Sequence, residues 1–390
     1  MKYAMKFLTH SAVAAAACSL FIAGAHAADL KVGLSVSLSG PNSSLGVPYA
    51  KGMQAALAYK GEVGGRKIQL VVLDDASDPT VAGRNARKLV NEDKVDVLMG
   101  TSGVPSAIAI AQVGRDAKVP MIGLTPVMVN PAENSWVVTV AQPTQLMIDA
   151  VVERMQKDGV KTVGYIGFSD AWGDLVYDSL VKATQPAGIK VLGNERYART
   201  DSSVTGQVLK LLAQRPDAIM TGGAGTPGAL PFLALSERGY TGKTYGQHGL
   251  INPDFVRVVG NAGVGALMPT GPVIVAEQLP ADSPTRKISM TYRESYQKTN
   301  GVVPSDAYSA YSFDGWLVFL DSAQRALAKS KVEPGTPEFR QALRNAIFET
   351  KEVVGTHGVY NFKPGDLYGV DKRARVIVKL DKGGKWTLVP

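Results

Sequence analysis

From residue 30 onward, short apolar runs alternate with amphipathic stretches, and this alternation limits the fold more than any other feature of the chain. Residues 30–35, 68–73, 95–99 and 121–124 read as strands, and residues 48–60 and 106–117 as helices between them. Asp78-Pro79 supplies a cap and first-turn pair, after which Ala82, Ala86, Leu89 and Val90 fall on one helical face. This order predicts a parallel sheet covered by helices on both faces. The rhythm restarts after Gln142-Pro143, with helices at 147–157, 172–183, 204–214 and 227–238. Strands at 162–168, 190–194 and 218–221 lie among them. Near Gly271-Pro272 it gives way to longer helices at 285–298 and 306–328, a third at 340–348, and a strand-like tail at 375–380. No repeat or low-complexity linker separates the halves. The expectation is an α/β protein of two doubly wound lobes, with any ligand at the carboxyl ends of strands or between lobes.

Residues 1–27 stand apart from this pattern. Lys2 and Lys6 precede an alanine-rich apolar stretch, and Ala25-His26-Ala27 offers a small-x-small cleavage site, so a secretory signal is expected to end near Ala27. Cys18 lies inside the apolar stretch, which favours a plain signal over a lipoprotein one. The expected mature chain is therefore periplasmic and has 363 of the 390 residues, enough for two domains. It keeps no cysteine and only two histidines, His248 and His357. Disulfides, thiol nucleophiles and Cys/His metal sites drop out together, and neither metal nor cofactor is expected. With Lys2 and Lys6 removed, the formal charge of +8 becomes +6. The bases are scattered singly, without interleaved aromatics, so nucleic acid is not an expected partner.

The stretch "GTSGVPSA", residues 100–107, sits at the carboxyl end of the third strand, where a ligand would dock. A serine hydrolase is the remote alternative, but Gly100-Thr101-Ser102-Gly103-Val104 has valine where a nucleophile elbow needs its second glycine. A dinucleotide turn is absent after the first strand. Adjacent Asp74 and Asp75 point to opposite faces of an extended chain and read as loop-solvating groups. Anion binding fits better. Pro105 suits the first turn of a helix, leaving the amides of Ser106 and Ala107 free, while Thr101, Ser102 and Ser106 offer hydroxyls and Gly103 lets a ligand approach.

Six segments together resemble the solute-binding proteins of ABC importers, in the leucine/isoleucine/valine-binding branch. They are "LKVGLSVSLSGPNSSLG", "LVVLDDASDPTVAGRNARKLV", "VDVLMGTSGVPSA", "VPMIGLTP", "FSDAWGD" and "GVYNF". The resemblance covers nearly all of the mature chain. It implies the type I periplasmic binding fold: two lobes, a three-crossing hinge and a ligand in the cleft between. The crossings are expected near Gln142, Gly271 and Val354, with residues 28–142 and 272–354 in one lobe and 143–271 and 355–390 in the other.

The same resemblance assigns site residues and shows where this chain departs. The family's acidic partner for an α-ammonium falls on His248, and its carboxylate-gripping hydroxyl falls on Val104, with Ser102 and Ser106 close by. A second hydroxyl falls near Thr125-Pro126-Val127. Trp172 keeps an aromatic of the far lobe; an aromatic position falls in Ala224-Gly225, where bulk is removed, and another is replaced by Leu45. Tyr308 and Tyr311 fall where the family has hinge and wall aromatics. Imidazole cannot serve as the ammonium's anion. The expected ligand is therefore a small organic carboxylate with an aromatic body, held by Ser102, Gly103 and Ser106 and stacked on Trp172. His248 would read a second polar group. The alternative within the family is a branched-chain or other amino acid. The resemblance further implies a non-enzymatic receptor, an inner-membrane ABC permease as partner, and a monomer.

Overall fold

The computed structural model describes residues 28–329 and 332–390; the expected signal segment, its expected cleavage site near Ala27 and Cys18 lie outside the described residues. Two sheets dominate. The first orders β2-β3-β1-β4-β5-β6, from β1 (Leu30–Val36), β2 (Glu62–Val63), β3 (Arg66–Asp74), β4 (Val97–Gly100), β5 (Met121–Gly123) and β6 (Val137–Thr139). Its strands run parallel except for the β2–β3 edge. The second orders β15-β14-β11-β10-β9-β7-β8. Here β7 (Thr162–Phe168), β8 (Lys190–Tyr197), β9 (Ala218–Gly222), β10 (Lys243–Tyr245) and β11 (Leu267–Thr270) are parallel. A small ribbon of β12 (Val353–Val354) and β13 (Val359–Tyr360) comes next, and β14 (Val376–Leu380) and β15 (Trp386–Val389) then close the second sheet antiparallel.

Helices α1 (Ser43–Tyr59), α2 (Pro79–Asn91), α3 (Val104–Ala117), α4 (Thr144–Lys157), α5 (Ala171–Ala187), α6 (Thr205–Ala213), α7 (Leu230–Glu237) and α8 (Pro253–Val259) follow successive strands or turns. Then α9 (Arg286–Asn300) and α10 (Tyr308–Lys329) return to cover α1, where Ser312 Oγ donates to the Tyr49 carbonyl at 2.8 Å, and α11 (Pro337–Phe348) packs on α10. Asp78 caps α2 as its position predicts, accepting from the amides of Thr80 (2.7 Å) and Val81 (2.9 Å). Helix α1 starts five residues before the expected Pro48, because Asn42 is already pinned to Ser77 Oγ at 3.0 Å and its carbonyl accepts from Leu45 and Gly46. The stretch at 227–238 splits into a 3-10 turn and α7.

The chain passes between the sheets after β6, after β11 and again before β14. The first two passages follow Thr139 and Thr270, the last residues of β6 and β11. The third runs beyond Tyr368, not near Val354, because residues 367–368 still belong to the first sheet. There the Thr139 amide donates to the Leu367 carbonyl at 2.8 Å, Thr139 bridges Tyr368, and Leu367 joins that sheet's apolar cluster. The three passages meet on one side chain. Gln142 Nε2 donates to the Ala374 carbonyl at 3.0 Å, and Gly271 packs so closely against His357 and Gln142 that no Cβ fits. His357 stacks on Tyr311 at 3.8 Å between ring centres, and its Nε2 lies 2.9 Å from the Ala307 carbonyl. Asp314 accepts from the amides of Thr356 (2.6 Å) and His357 (2.9 Å) and from the Tyr360 hydroxyl (2.8 Å).

Candidate functional site

Every loop that leaves the carboxyl end of β1, β4, β5, β7, β8, β9 or β10 opens toward the same gap between the sheets. In the first lobe, two carboxylates shape these loops. Asp74 accepts from Leu38, Ser39 and Ala76, which curls residues 37–41 back over β3. Asp75 is fully buried rather than loop-solvating. It accepts from Ser37 Oγ at 2.6 Å, from the Ser77 amide at 3.0 Å and from Thr101 Oγ1, and burial pushes its carboxyl up. Thr101 is thereby turned away from the gap. Ser102 Oγ instead accepts the Ser37 amide at 3.0 Å, which leaves its single proton free to donate.

Helix α3 begins at Val104 with Gly103 as its cap, so the amides of Val104 and Ser106 lack intrahelical acceptors while Pro105 has no N–H. The Ala107 amide, expected to be free, bonds the Gly103 carbonyl at 3.0 Å because the helix starts two residues earlier than the sequence suggests. Across the floor, the Tyr49 hydroxyl donates to the Leu124 carbonyl at 2.7 Å and its ring meets Tyr308 edge-on, 5.3 Å between centres.

The second lobe brings Trp172, His248 and Arg199. Asp170 caps α5 by accepting from Trp172 and Gly173, which fixes the indole at the helix start. Its ring stands perpendicular to the His248 imidazole, 5.4 Å between centres. Both residues are only 4% exposed, and Trp172 Nε1, His248 Nδ1 and His248 Nε2 have no partner among the described residues. Burial without a compensating anion pulls His248 down to about 4, so the imidazole is neutral near pH 7. Arg199, two residues beyond the end of β8, lies 4.0 Å over the Phe168 ring. Its Nε donates to Asp170 at 2.7 Å and its Nη1 to Asn42 of the first lobe at 2.9 Å.

Together these groups line one pocket in the gap between the lobes. Of the residues expected at the site, Leu45, Ser102, Gly103, Val104, Thr125, Trp172, His248 and Tyr308 line it, as does Tyr311. Ser106 and Gly225 do not. Ser106 is buried in the first turn of α3. Gly225 leaves no vacant space for a larger ligand: a Cβ there would lie 2.8 Å from Ser44 Oγ and 3.2 Å from Leu45 Cδ2, so the neighbouring lobe occupies that volume. Arg199, Tyr49, Leu124, Ala141 and Gly249 also line the cavity and were missed. None of the lining residues is Asp or Glu. Among the described residues no histidine bonds Ser102: His248 has no hydrogen-bond partner and His357 sits at the passages.

The lobes touch beyond the cavity. The Thr226 amide donates to Ser44 Oγ at 3.1 Å, the Ala307 amide to the Ile251 carbonyl at 3.1 Å, and the Tyr308 hydroxyl to the Gly249 carbonyl. This is a closed cleft. No helix among the described residues is long and apolar enough to cross a membrane.

Comparison with known proteins agrees with this geometry. An extracellular ligand-binding receptor from Rhodopseudomonas palustris is 41% identical, with a TM-score of 0.88 over 93% of this chain and 100% of that one. The Leu/Ile/Val-binding protein homolog 3 of Brucella melitensis is 28% identical over 66% of this chain and 71% of its own length. A solute-binding protein of an R. palustris ABC transporter, solved with benzoate, shares the fold at 20% identity and a TM-score of 0.76, covering 93% and 95% of the two chains. Residues 29–364 match the periplasmic binding protein family, and the chain belongs to that family.

Proposed function

We propose that the protein is an exported receptor that captures a small aromatic carboxylate in the interlobe cleft and delivers it to an ABC permease. The observation that carries this reading is the chemistry of the cavity lining, which holds one cation, Arg199, several unpartnered nitrogens and no carboxylate. An amino acid needs an anion or a set of free carbonyls for its ammonium. Here the Leu124 carbonyl is taken by Tyr49, and the Gly249 carbonyl by Tyr308 and the Gly225 amide. Leaving an ammonium unpaired in such a site costs at least a few kcal/mol. Trp172, Leu45, Tyr49 and Tyr308, by contrast, supply the apolar and aromatic surface that a flat apolar body packs against. The benzoate bound by the more distant R. palustris protein is a ligand of the same class.

The test is a thermal-shift panel on the mature protein, followed by calorimetry, with benzoate, 3-phenylpropanoate, leucine and valine. A ligand present at a hundred times its Kd stabilises by about 2.7 kcal/mol. An aromatic acid is expected to raise the melting temperature and perturb tryptophan fluorescence, and Trp172→Ala to weaken its binding. A shift with leucine or valine and none with either aromatic acid would overturn the reading.

A further inference from the structure

Position 104 carries valine, so the first lobe presents an apolar side chain where the resemblance places a gripping hydroxyl. We propose that Arg199 answers the ligand's carboxylate charge from the second lobe, in place of that hydroxyl. The inference rests on the carboxylate reading above and identifies the group that supplies the charge.

Four observations place the guanidinium for this role. Arg199 lines the same cavity as Ser102, Gly103 and Val104. Its Nη1 bonds Asn42 Oδ1 at 2.9 Å, and the Asn42 amide nitrogen lies 3.0 Å from where a Gly103 Cβ would stand. The guanidinium is thus separated from the start of α3 by one side-chain amide. Its Nη2 has no hydrogen-bond partner among the described residues. Finally, its charge is felt across the cavity: burial drives the Tyr308 hydroxyl well up, and Arg199 offsets part of that rise.

Asp170 forms an ion pair with Arg199 at 2.7 Å but offsets only part of this charge. Its Oδ2 holds Arg199 Nε, but its Oδ1 is spent on the amides of Trp172 and Gly173 at the positive end of α5. The carboxylate is shared between two positive partners. Phe168 fixes the plane of the guanidinium from below, so its free edge keeps a defined direction. The buried, unpartnered nitrogens of Trp172 and His248 on the same cavity are an independent sign that a polar ligand completes the site. Because Arg199 also bonds Asn42 across the cleft, the charge reaches its place only when the lobes close. Anion recognition and closure are then one event.

The experiment compares acids with their primary amides, which keep the shape and lose the charge. Wild type, Arg199→Met, Arg199→Lys and Asn42→Ala are titrated calorimetrically with benzoate and benzamide, and with 3-phenylpropanoate and its amide. Wild type is expected to prefer the acid by about 30-fold, the size of one or two charge-assisted hydrogen bonds. Arg199→Met is expected to lose nearly all of that preference by weakening the acid alone, and Arg199→Lys to keep part of it. Asn42→Ala weakens acid and amide equally. Equal losses for acid and amide in Arg199→Met would make the residue a cleft latch only and overturn the proposal. So would a wild type that does not distinguish acid from amide, a result that needs no variant to fold. If wild type binds leucine and no aromatic acid, the ligand reading fails separately, and leucine against leucinamide decides the role of Arg199 by the same ratio.

Discussion

Gly225→Ala should hold the cleft ajar. Gly225 has φ of +59° and ψ of −157°, a region that side chains rarely enter, and it faces the first lobe at the point where Thr226 bonds Ser44. A Cβ would stand 2.8 Å from Ser44 Oγ, too close for any real contact, so closure must displace that hydroxyl and stretch the 3.1 Å bond it makes. Losing the bond removes about 1 kcal/mol, and the displaced Leu45 Cδ2 contact at 3.2 Å adds a smaller share. The sum of about 1–2 kcal/mol predicts ligand binding weaker by roughly 5- to 30-fold. The backbone strain, about 1–3 kcal/mol, is present whether the cleft is open or closed, so it lowers the melting temperature of the free protein without entering the affinity. Calorimetry with the best aromatic acid, alongside melts of the free protein, separates the two effects. Stopped-flow binding should show the loss in the dissociation rate. Unchanged affinity in a destabilised Gly225→Ala protein would refute the claim that binding requires this lobe-to-lobe contact.

Two further outcomes follow from buried titratable groups. Burial lowers His248 from about 6.5 to about 4 in the folded protein, so between those values the unfolded chain takes up a proton that the folded one refuses, and stability falls as the pH drops through this window. Chemical denaturation of wild type against His248→Asn should show their stability difference changing by about 1.4 kcal/mol per pH unit there, in favour of the variant on the acid side; parallel profiles would show that His248 is not held neutral. Asp75→Ala orphans three donors around the first loop, from Ser37, Ser77 and Thr101, and should cost about 3–5 kcal/mol in urea unfolding, a result contradicted by a loss below about 1 kcal/mol.

Much of the architecture is legible in the sequence because helices with apolar faces and five-residue apolar strands leave a periodic trace. The strands at Val137–Thr139, Lys243–Tyr245 and Leu267–Thr270 leave almost none, since three or four residues cannot establish a period. At the site, residues at strand ends could be read from the resemblance, and eight of the ten expected residues line the cavity. Arg199 could not. It is one arginine among many, and its defining contact is with Asn42, 157 residues away. Gly225 misleads for a related reason: a missing side chain looks like space until Leu45 from the other lobe is seen to fill it. The two positions compensate across the cleft, a pairing that a single sequence does not display.

The return of the chain has a consequence for how the molecule is built. Helix α1 forms near the start of the described chain, yet the helices that cover it, α9 and α10, begin at residues 286 and 308. Likewise β11 waits for β14, which begins at residue 376. A nascent chain of two-thirds length therefore carries Tyr49 and Met53, both fully buried in the finished protein, with their cover still unsynthesised. Neither half can be cut out as a self-sufficient piece, and assembly is dominated by late pairings between distant segments, which makes it slow. On the proposed reading of an exported receptor this delay is useful: the chain stays threadable until nearly all of it has been delivered, and the cleft and its hinge come into being together at the end.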